Sequence, residues 1–209
     1  MRAAAAGVPV LAHVALLRGI NVGTGPRIAM TDLRDVAAEL GWDGVRTHLQ
    51  SGNVVFRVPR SGVRTTAELA TALQQAVLAR FGLDPAVVVL TAEELAAVAA
   101  GSPFQREAAA GPTTVHTVVL SVPAGPDLVA RVAGAQTRFA GSGGDRAVAV
   151  GRAVHLLLPD GLGRSRLAAT ITRPGALGPG IVTTARNAST VAALLAMTAL
   201  PPDTPEAAG

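Results

Sequence analysis

Val45-Arg46-Thr47-His48-Leu49-Gln50-Ser51-Gly52-Asn53-Val54-Val55-Phe56-Arg57-Val58 is the stretch on which the fold turns. Two β-rich runs, Val45 to Gln50 and Asn53 to Val58, meet at Ser51-Gly52, and this predicts an antiparallel hairpin. Ahead of it, Thr31 is placed to cap a helix that keeps Leu33, Val36, Ala37 and Leu40 on one face and stops at Gly41. Earlier still, Val10 to Arg18 is an almost unbroken apolar run, as a central strand would be. After the hairpin, Thr66 to Phe81 has Leu69, Leu73, Ala76, Val77 and Arg80 at helical spacing and ends at Gly82, and Ala86 to Leu90 is a strand. A hairpin flanked by strand-helix and helix-strand gives the order β-α-β-β-α-β, the ferredoxin-like pattern.

The order then starts again. Thr91 to Ala100 reads as a connecting helix, with Thr91 and Glu94 in capping-box spacing, and Pro103, Gly111 and Pro112 mark a boundary. Val115 to Val122 is a strand and Pro126 to Phe139 a helix. Ala147 to Val150 and Ala153 to Leu158 form a hairpin about Gly151-Arg152, followed by a helix near Ser165 to Thr172, a strand over Ile181 to Thr184 and a closing helix over Ala188 to Leu200. The expected architecture is α+β: two ferredoxin-like repeats in tandem, with exchange of strands between them left open. One repeat with the connecting helix spans 8–100, the other 113–200, and 1–7 and 201–209 are expected to be disordered ends.

Composition excludes several classes. With no cysteine among 209 residues there is no disulfide, thiolate nucleophile or sulfur-ligated metal. The apolar stretch Ala3 to Leu17 imitates a signal peptide, but Pro9 and His13 interrupt it and it flows into the Arg18 turn without a cleavage site. With no run near the roughly 20 apolar residues of a membrane span, a cytoplasmic protein is expected. All 18 basic residues are arginine, against 14 acids. From Arg131 to Arg186 eight arginines (131, 138, 146, 152, 164, 166, 173, 186) face only Asp145 and Asp160, so an anionic partner should prefer the second half.

In a β-α-β-β-α-β unit the first and second strands run the same way, so the turn after one and the hairpin after the other share a sheet edge. That brings Arg18, Gly19 and Asn21 beside Ser51, Gly52 and Asn53. In the second repeat the loop Asp160-Gly161-Leu162-Gly163-Arg164-Ser165 and the segment Thr184-Ala185-Arg186-Asn187 share the opposite edge, each opening a helix whose free N–H groups favour an anion. The candidate ligand-binding residues are Arg18, Asn21, Ser51, Asn53, Arg164, Ser165, Arg186 and Asn187, with Gly19, Gly52, Gly161 and Gly163 allowing close backbone approach. If the two edges face one another, Arg18 and Asn21 look across a groove at Arg164 and Arg186. Each residue also has a structural use, as helix cap, turn former or bridge to a carbonyl.

The LLRGINVG, QSGNVVF, DGLGRS and TARN segments, in that order, resemble the bacterial domain of unknown function 1697 family, from about Val14 to Leu195. The resemblance implies the fold and no established activity, and it implies that the family's motif positions fall on the residues above. Two departures stand out: only Arg27 follows Asn21 where the family has a lysine in its glycine loop, and Ala188 replaces the aromatic after TARN.

Other chemistries fit poorly. The four histidines (His13, His48, His116, His155) fall in predicted strands, away from carboxylates, so no metal and no cofactor is expected. Ser51 and Ser165 lack a nucleophile-elbow motif. The Gly23-x-Gly25 and Gly161-x-Gly163 pairs lack a Walker lysine. Readout of RNA on the sheet face needs aromatics, which are 2% of this chain. The expectation is therefore a small anionic ligand in an Arg/Asn-lined groove between the repeats, with no membrane partner and no oligomeric state implied. Contact with a nucleic-acid backbone through the arginine-rich second repeat is the alternative. An enzyme of undetected mechanism or a partner-binding module are further alternatives, and no catalytic residue is named.

Overall fold

The computed structural model describes residues 10–23, 25, 27–59, 64–139 and 143–199. The ends expected to be disordered lie outside these residues. The first half is built from β1 (Val10–Arg18), α1 (Met30–Glu39), β2 (Asp43–His48), β3 (Asn53–Pro59), α2 (Thr66–Phe81) and β4 (Ala86–Thr91). Next come α3 (Ala92–Ala100) and a short α4 (Gln105–Ala110) that the sequence did not announce. The second half contains β5 (Val115–Leu120), α5 (Pro126–Arg138), β6 (Arg146–Val150), β7 (Ala153–Leu157), α6 (Arg166–Thr172), β8 (Thr183–Asn187) and α7 (Ala188–Ala199). The sheet orders are β2-β3-β1-β4 and β6-β7-β5-β8, with every pairing antiparallel. Both are ferredoxin-like, and each sheet uses only its own four strands.

Side-chain alternation along the strands sorts the core into three layers. One face of the first sheet (Ala15, Leu17, Val54, Phe56, Val87, Val89) packs on Leu33, Val36 and Ala37 of α1 and Leu69, Leu73 and Val77 of α2. The matching face of the second sheet (Val118, Leu120, Val154, Leu156) packs on Leu128 and Val132 of α5 and Leu167, Ala168 and Ile171 of α6. The reverse faces meet in a third cluster, where Val14, Leu16, Val55, Val88 and Leu90 join Leu95 and Val98 of α3, Val191 and Leu194 of α7, and Val119 and Ala153 of the second sheet. This third layer makes one molecule of the two halves, and it is why β1 is apolar on both faces.

Several boundaries differ from the sequence reading by one to three residues, β2 for example running Asp43–His48 where the sequence predicts Val45 to Gln50, and two of them bear on the packing and the site. Helix α1 starts at Met30, with Ala29 and not Thr31 at the N-cap and no side-chain cap, because Ile28 and Met30 are drawn into the core and carry the chain into the helix two residues early. Strand β8 begins at Thr183 and continues to Asn187, since Thr183 through Asn187 pair with Leu120 through His116 of β5. Arg186 is therefore a strand residue, and its side chain is directed by the pleat. The capping box of Thr91 and Glu94 is formed, with both reciprocal bonds at 3.0 Å. Among the described residues no helix is long and apolar enough to cross a membrane.

Candidate functional site

The turn after β1 and the β2-β3 hairpin converge as the topology requires. Leu17 N–H donates to Gly52 carbonyl at 2.8 Å. Asn21, at φ 55°, donates from Nδ2 to the carbonyls of Ile28 and Gln50, both at 2.9 Å, and accepts from Ile28 N–H at 2.7 Å. Both Nδ2 hydrogens and one lone pair of Oδ1 are thus spent in pinning the glycine loop to the hairpin. Gly52 has φ +74°, and a Cβ built on it would lie 2.7 Å from Ile20 Cδ1 and 2.8 Å from Leu17 Cβ. Glycine is required there both by conformation and by the approach of the β1 turn.

Arg18 and Arg186 tie this edge to the second half in opposite directions. From β1, Arg18 Nη2 donates to the Thr172 carbonyl at 2.7 Å, and its Nη1 makes longer contacts with Thr183 Oγ1 (3.3 Å) and carbonyl (3.5 Å). From β8, Arg186 Nη2 donates to the carbonyls of Leu17 (2.7 Å) and Ser51 (2.9 Å), and Nη1 to Thr184 Oγ1 and the Ala185 carbonyl (both 2.8 Å). Its Nε donates to Asn53 Oδ1. All five guanidinium N–H groups are engaged. Asn53, fully buried, uses its Nδ2 on the His48 carbonyl (2.8 Å) and Ser51 Oγ (3.0 Å). Burial pulls the Arg186 guanidinium down to about 10, which leaves it cationic at neutral pH. Neither Arg18 nor Arg186 has a carboxylate within ion-pair distance among the described residues.

The two arginines line one cleft of about 250 Å³ between the halves. Its first-half wall is Leu17, Arg18, Gly19, Ile20, Val22 and Ser51. Its second-half wall is Val118, Leu162, Thr172, Thr183, Thr184, Ala185 and Arg186. Three of the residues picked from sequence for their side chains, Arg18, Ser51 and Arg186, thus line the same cleft, as does Gly19. The others stand elsewhere. Ser165 caps α6, its Oγ accepting from Ala168 N–H at 2.8 Å, and Asn187 accepts from Thr190 N–H at 2.9 Å at the start of α7. Arg164 is exposed at the end of a single 3-10 turn, Leu162–Arg164, that contains Gly163 and follows Gly161. Only Leu162 of that loop reaches the cleft. Thr172, Thr183 and Thr184 line it without having been singled out, because nothing local in the sequence marks a threonine as wall rather than strand filler.

Arg152 was also missed. It donates to Glu94 Oε1 at 2.6 Å and to the carbonyls of Val89 (3.4 Å), Leu120 (3.2 Å from Nη2) and Ser121 (2.9 Å), a second stitch between the halves. No group of three or more His, Asp or Glu side chains able to hold a metal occurs among the described residues.

A model of the family described as protein of unknown function (DUF1697) matches residues 11–154. That stretch contains LLRGINVG and QSGNVVF but ends before DGLGRS and TARN. Among solved structures, the conserved bacterial protein SP0830 from Streptococcus pneumoniae is similar in fold, with a TM-score of 0.64 and 18% identity over 91% of this chain and 99% of that one. No curated protein matches the sequence.

Proposed function

The chain belongs to the family described as protein of unknown function (DUF1697), and from that premise we propose that it binds a small anion bearing phosphate or carboxylate in the cleft between its halves. The observation that carries this reading is a pair of guanidinium groups lining one cleft, one from each half, with no carboxylate within ion-pair distance of either among the described residues. Buried charges are ordinarily paired, because leaving water costs several kcal/mol per ion. Carbonyl dipoles satisfy the hydrogen bonds of Arg186 but leave its net charge, so the cleft is positive by construction. The two arginines divide the work. Arg186, with every donor used, supplies a fixed field from behind the wall. Arg18, which the structure holds firmly by one Nη2 bond only, has N–H capacity to offer a ligand. Ser51, Thr183 and Thr184 add hydroxyls on either side.

A volume of about 250 Å³ suits a compact ligand, since drug-sized molecules occupy roughly 300–1,000 Å³. The test is a phosphate and sulfate titration followed by amide chemical shifts. Saturable shifts are expected at Gly19, Ser51 and Thr183, together with a rise in Tm, as for any ligand selective for the native state. Arg18→Ala, folded by circular dichroism, should lose the shifts at these positions. Unchanged shifts in that variant, or none in the wild type, would refute the reading.

A further inference from the structure

We infer that the hollow between the end of α5 and the outer face of α6 is a second anion site, built for a compact ligand of the diphosphate class. It lies in the second half, apart from the inter-half cleft, and does not depend on that cleft being occupied. Its lining is Arg138, Phe139, Arg166, Ala169, Thr170 and Arg173, around a volume of about 380 Å³.

The sequence produces this hollow in a simple way. Residues 166, 169, 170 and 173 stand at i, i+3, i+4 and i+7, so they share one face at α6 and the residue after it. The two middle positions are small, Ala169 and Thr170, and the two outer ones are arginines. This leaves a depression flanked by charge. From α5, Arg138 and Phe139 close the third side. The Phe139 ring is buried, at 8% exposure, and carries Arg138 Cζ at 5.6 Å and Arg166 Cζ at 5.5 Å from its centroid. A guanidinium stacked on a ring is held in orientation while its N–H edge stays available, the geometry that favours bidentate binding of phosphate.

Charge is the second argument. Arg138, Arg166 and Arg173 are exposed, and none has a carboxylate within ion-pair distance among the described residues. The one acid of α5, Asp127, lies in its first turn, eleven residues from Arg138 and so about 16 Å away along the axis. Three cations converge with no carboxylate within ion-pair distance among the described residues. A ligand carrying about three negative charges in a small volume matches them, and a diphosphate does so with oxygens enough for three forks. Nucleic acid is the weaker fit, because the only aromatic ring at the site is buried under two guanidinium groups and offers no base a stacking surface.

Isothermal titration with inorganic pyrophosphate, read alongside amide shifts, tests the assignment. Saturable binding is expected, with shifts centred on Phe139, Ala169 and Thr170. Each of Arg166→Ala and Arg173→Ala should weaken it roughly 10-fold, the loss of one charge-assisted bond. Both positions are exposed, so Tm without ligand should hold, and Arg18→Ala should leave these shifts intact even if it abolishes those in the inter-half cleft. Citrate binding tighter than pyrophosphate would overturn the diphosphate class. Tighter binding of a single-stranded or duplex oligonucleotide, with a salt slope that falls by about one per arginine removed, would make the surface a nucleic-acid contact instead. Pyrophosphate affinity unaltered in the Arg166→Ala/Arg173→Ala double variant would dismiss the site.

Discussion

Arg186 Nε donates to Asn53 Oδ1, joining the last strand of the second sheet to the first residue of β3 in the other. With Arg18 reaching the opposite way to the Thr172 carbonyl, the two halves exchange arginines across this edge. A guanidinium is the only side chain that could satisfy the Arg186 position, because five donors in a rigid fork meet acceptors on three sides. Lysine offers three donors from one point. Arg186→Lys is therefore expected to cost about 3 kcal/mol, the sum of stranded acceptors and a poorly solvated ammonium. Urea denaturation read by circular dichroism measures it, and a loss below about 0.5 kcal/mol, the scale of ordinary surface changes, would deny Arg186 its bridging role.

Gly52→Ala should be harmful for reasons that do not involve the arginines. The residue sits at φ +74°, and its new methyl would meet Ile20 Cδ1 and Leu17 Cβ below 3.0 Å. Strain in the left-handed region and overpacking together put the loss at about 2–4 kcal/mol. Gly19→Ala is the control: φ is +82° there, yet a Cβ meets nothing within 4 Å. It should lose only the conformational part, about 1 kcal/mol. Equal Tm values for the two variants would show that the contact at Gly52 does not matter.

Trp42 reports on the first core. Its indole is 4% exposed and stacks on Phe56 with centroids 3.8 Å apart and planes 12° from parallel. Native emission should be blue-shifted and should move red in one cooperative step on unfolding, because the ring loses its apolar shell. As the chain has a single tryptophan, the signal has one source. A native maximum matching that of the unfolded chain would place the indole in solvent.

The sequence made the two sheets legible because their signals are local. Alternation, the Ser51-Gly52 turn and glycine stops each lie within a few residues of what they determine, and the strand order follows from β-α-β-β-α-β. The meeting of the β1 turn with the hairpin was equally accessible, since it is a consequence of strand direction. What could not be read was the third dimension between halves. Arg152 looks like a hairpin-turn residue until Glu94 and three carbonyls from other elements surround it. Arg46 and Arg57 look like ordinary strand residues, yet both are nearly buried and donate to the Met197 and Thr198 carbonyls at the end of α7, where the helix dipole favours cations. Asn21 and Ser165 show the converse, since turn and cap roles explain their hydrogen bonds.

His155 gives the layer between the halves a dependence on pH. It is fully buried on the face that carries Thr117, its Nδ1 lies 3.5 Å from Thr117 Oγ1, and its Nε2 has no hydrogen-bond partner among the described residues. Across the sheet Thr117 is flanked by His155 on one side and by Arg186 on the other, so the charge in this row is already positive. Desolvation lowers the His155 pKa from 6.5 to about 4. Between these values the unfolded chain binds more protons than the folded one, so stability rises with pH and is lost as pH falls from about 6.5 toward 4. Acidification from pH 7 to pH 4 should cost about 3 kcal/mol through this residue alone. His13 and His116 are shifted the same way by burial, and comparison with a variant removes their share. His155→Leu keeps an apolar side chain beside Val119 and Ala153, and should flatten the stability profile over pH 4–6.5 relative to the wild type. Parallel profiles for the two proteins would mean that His155 takes up its proton as easily in the folded state as in the unfolded chain.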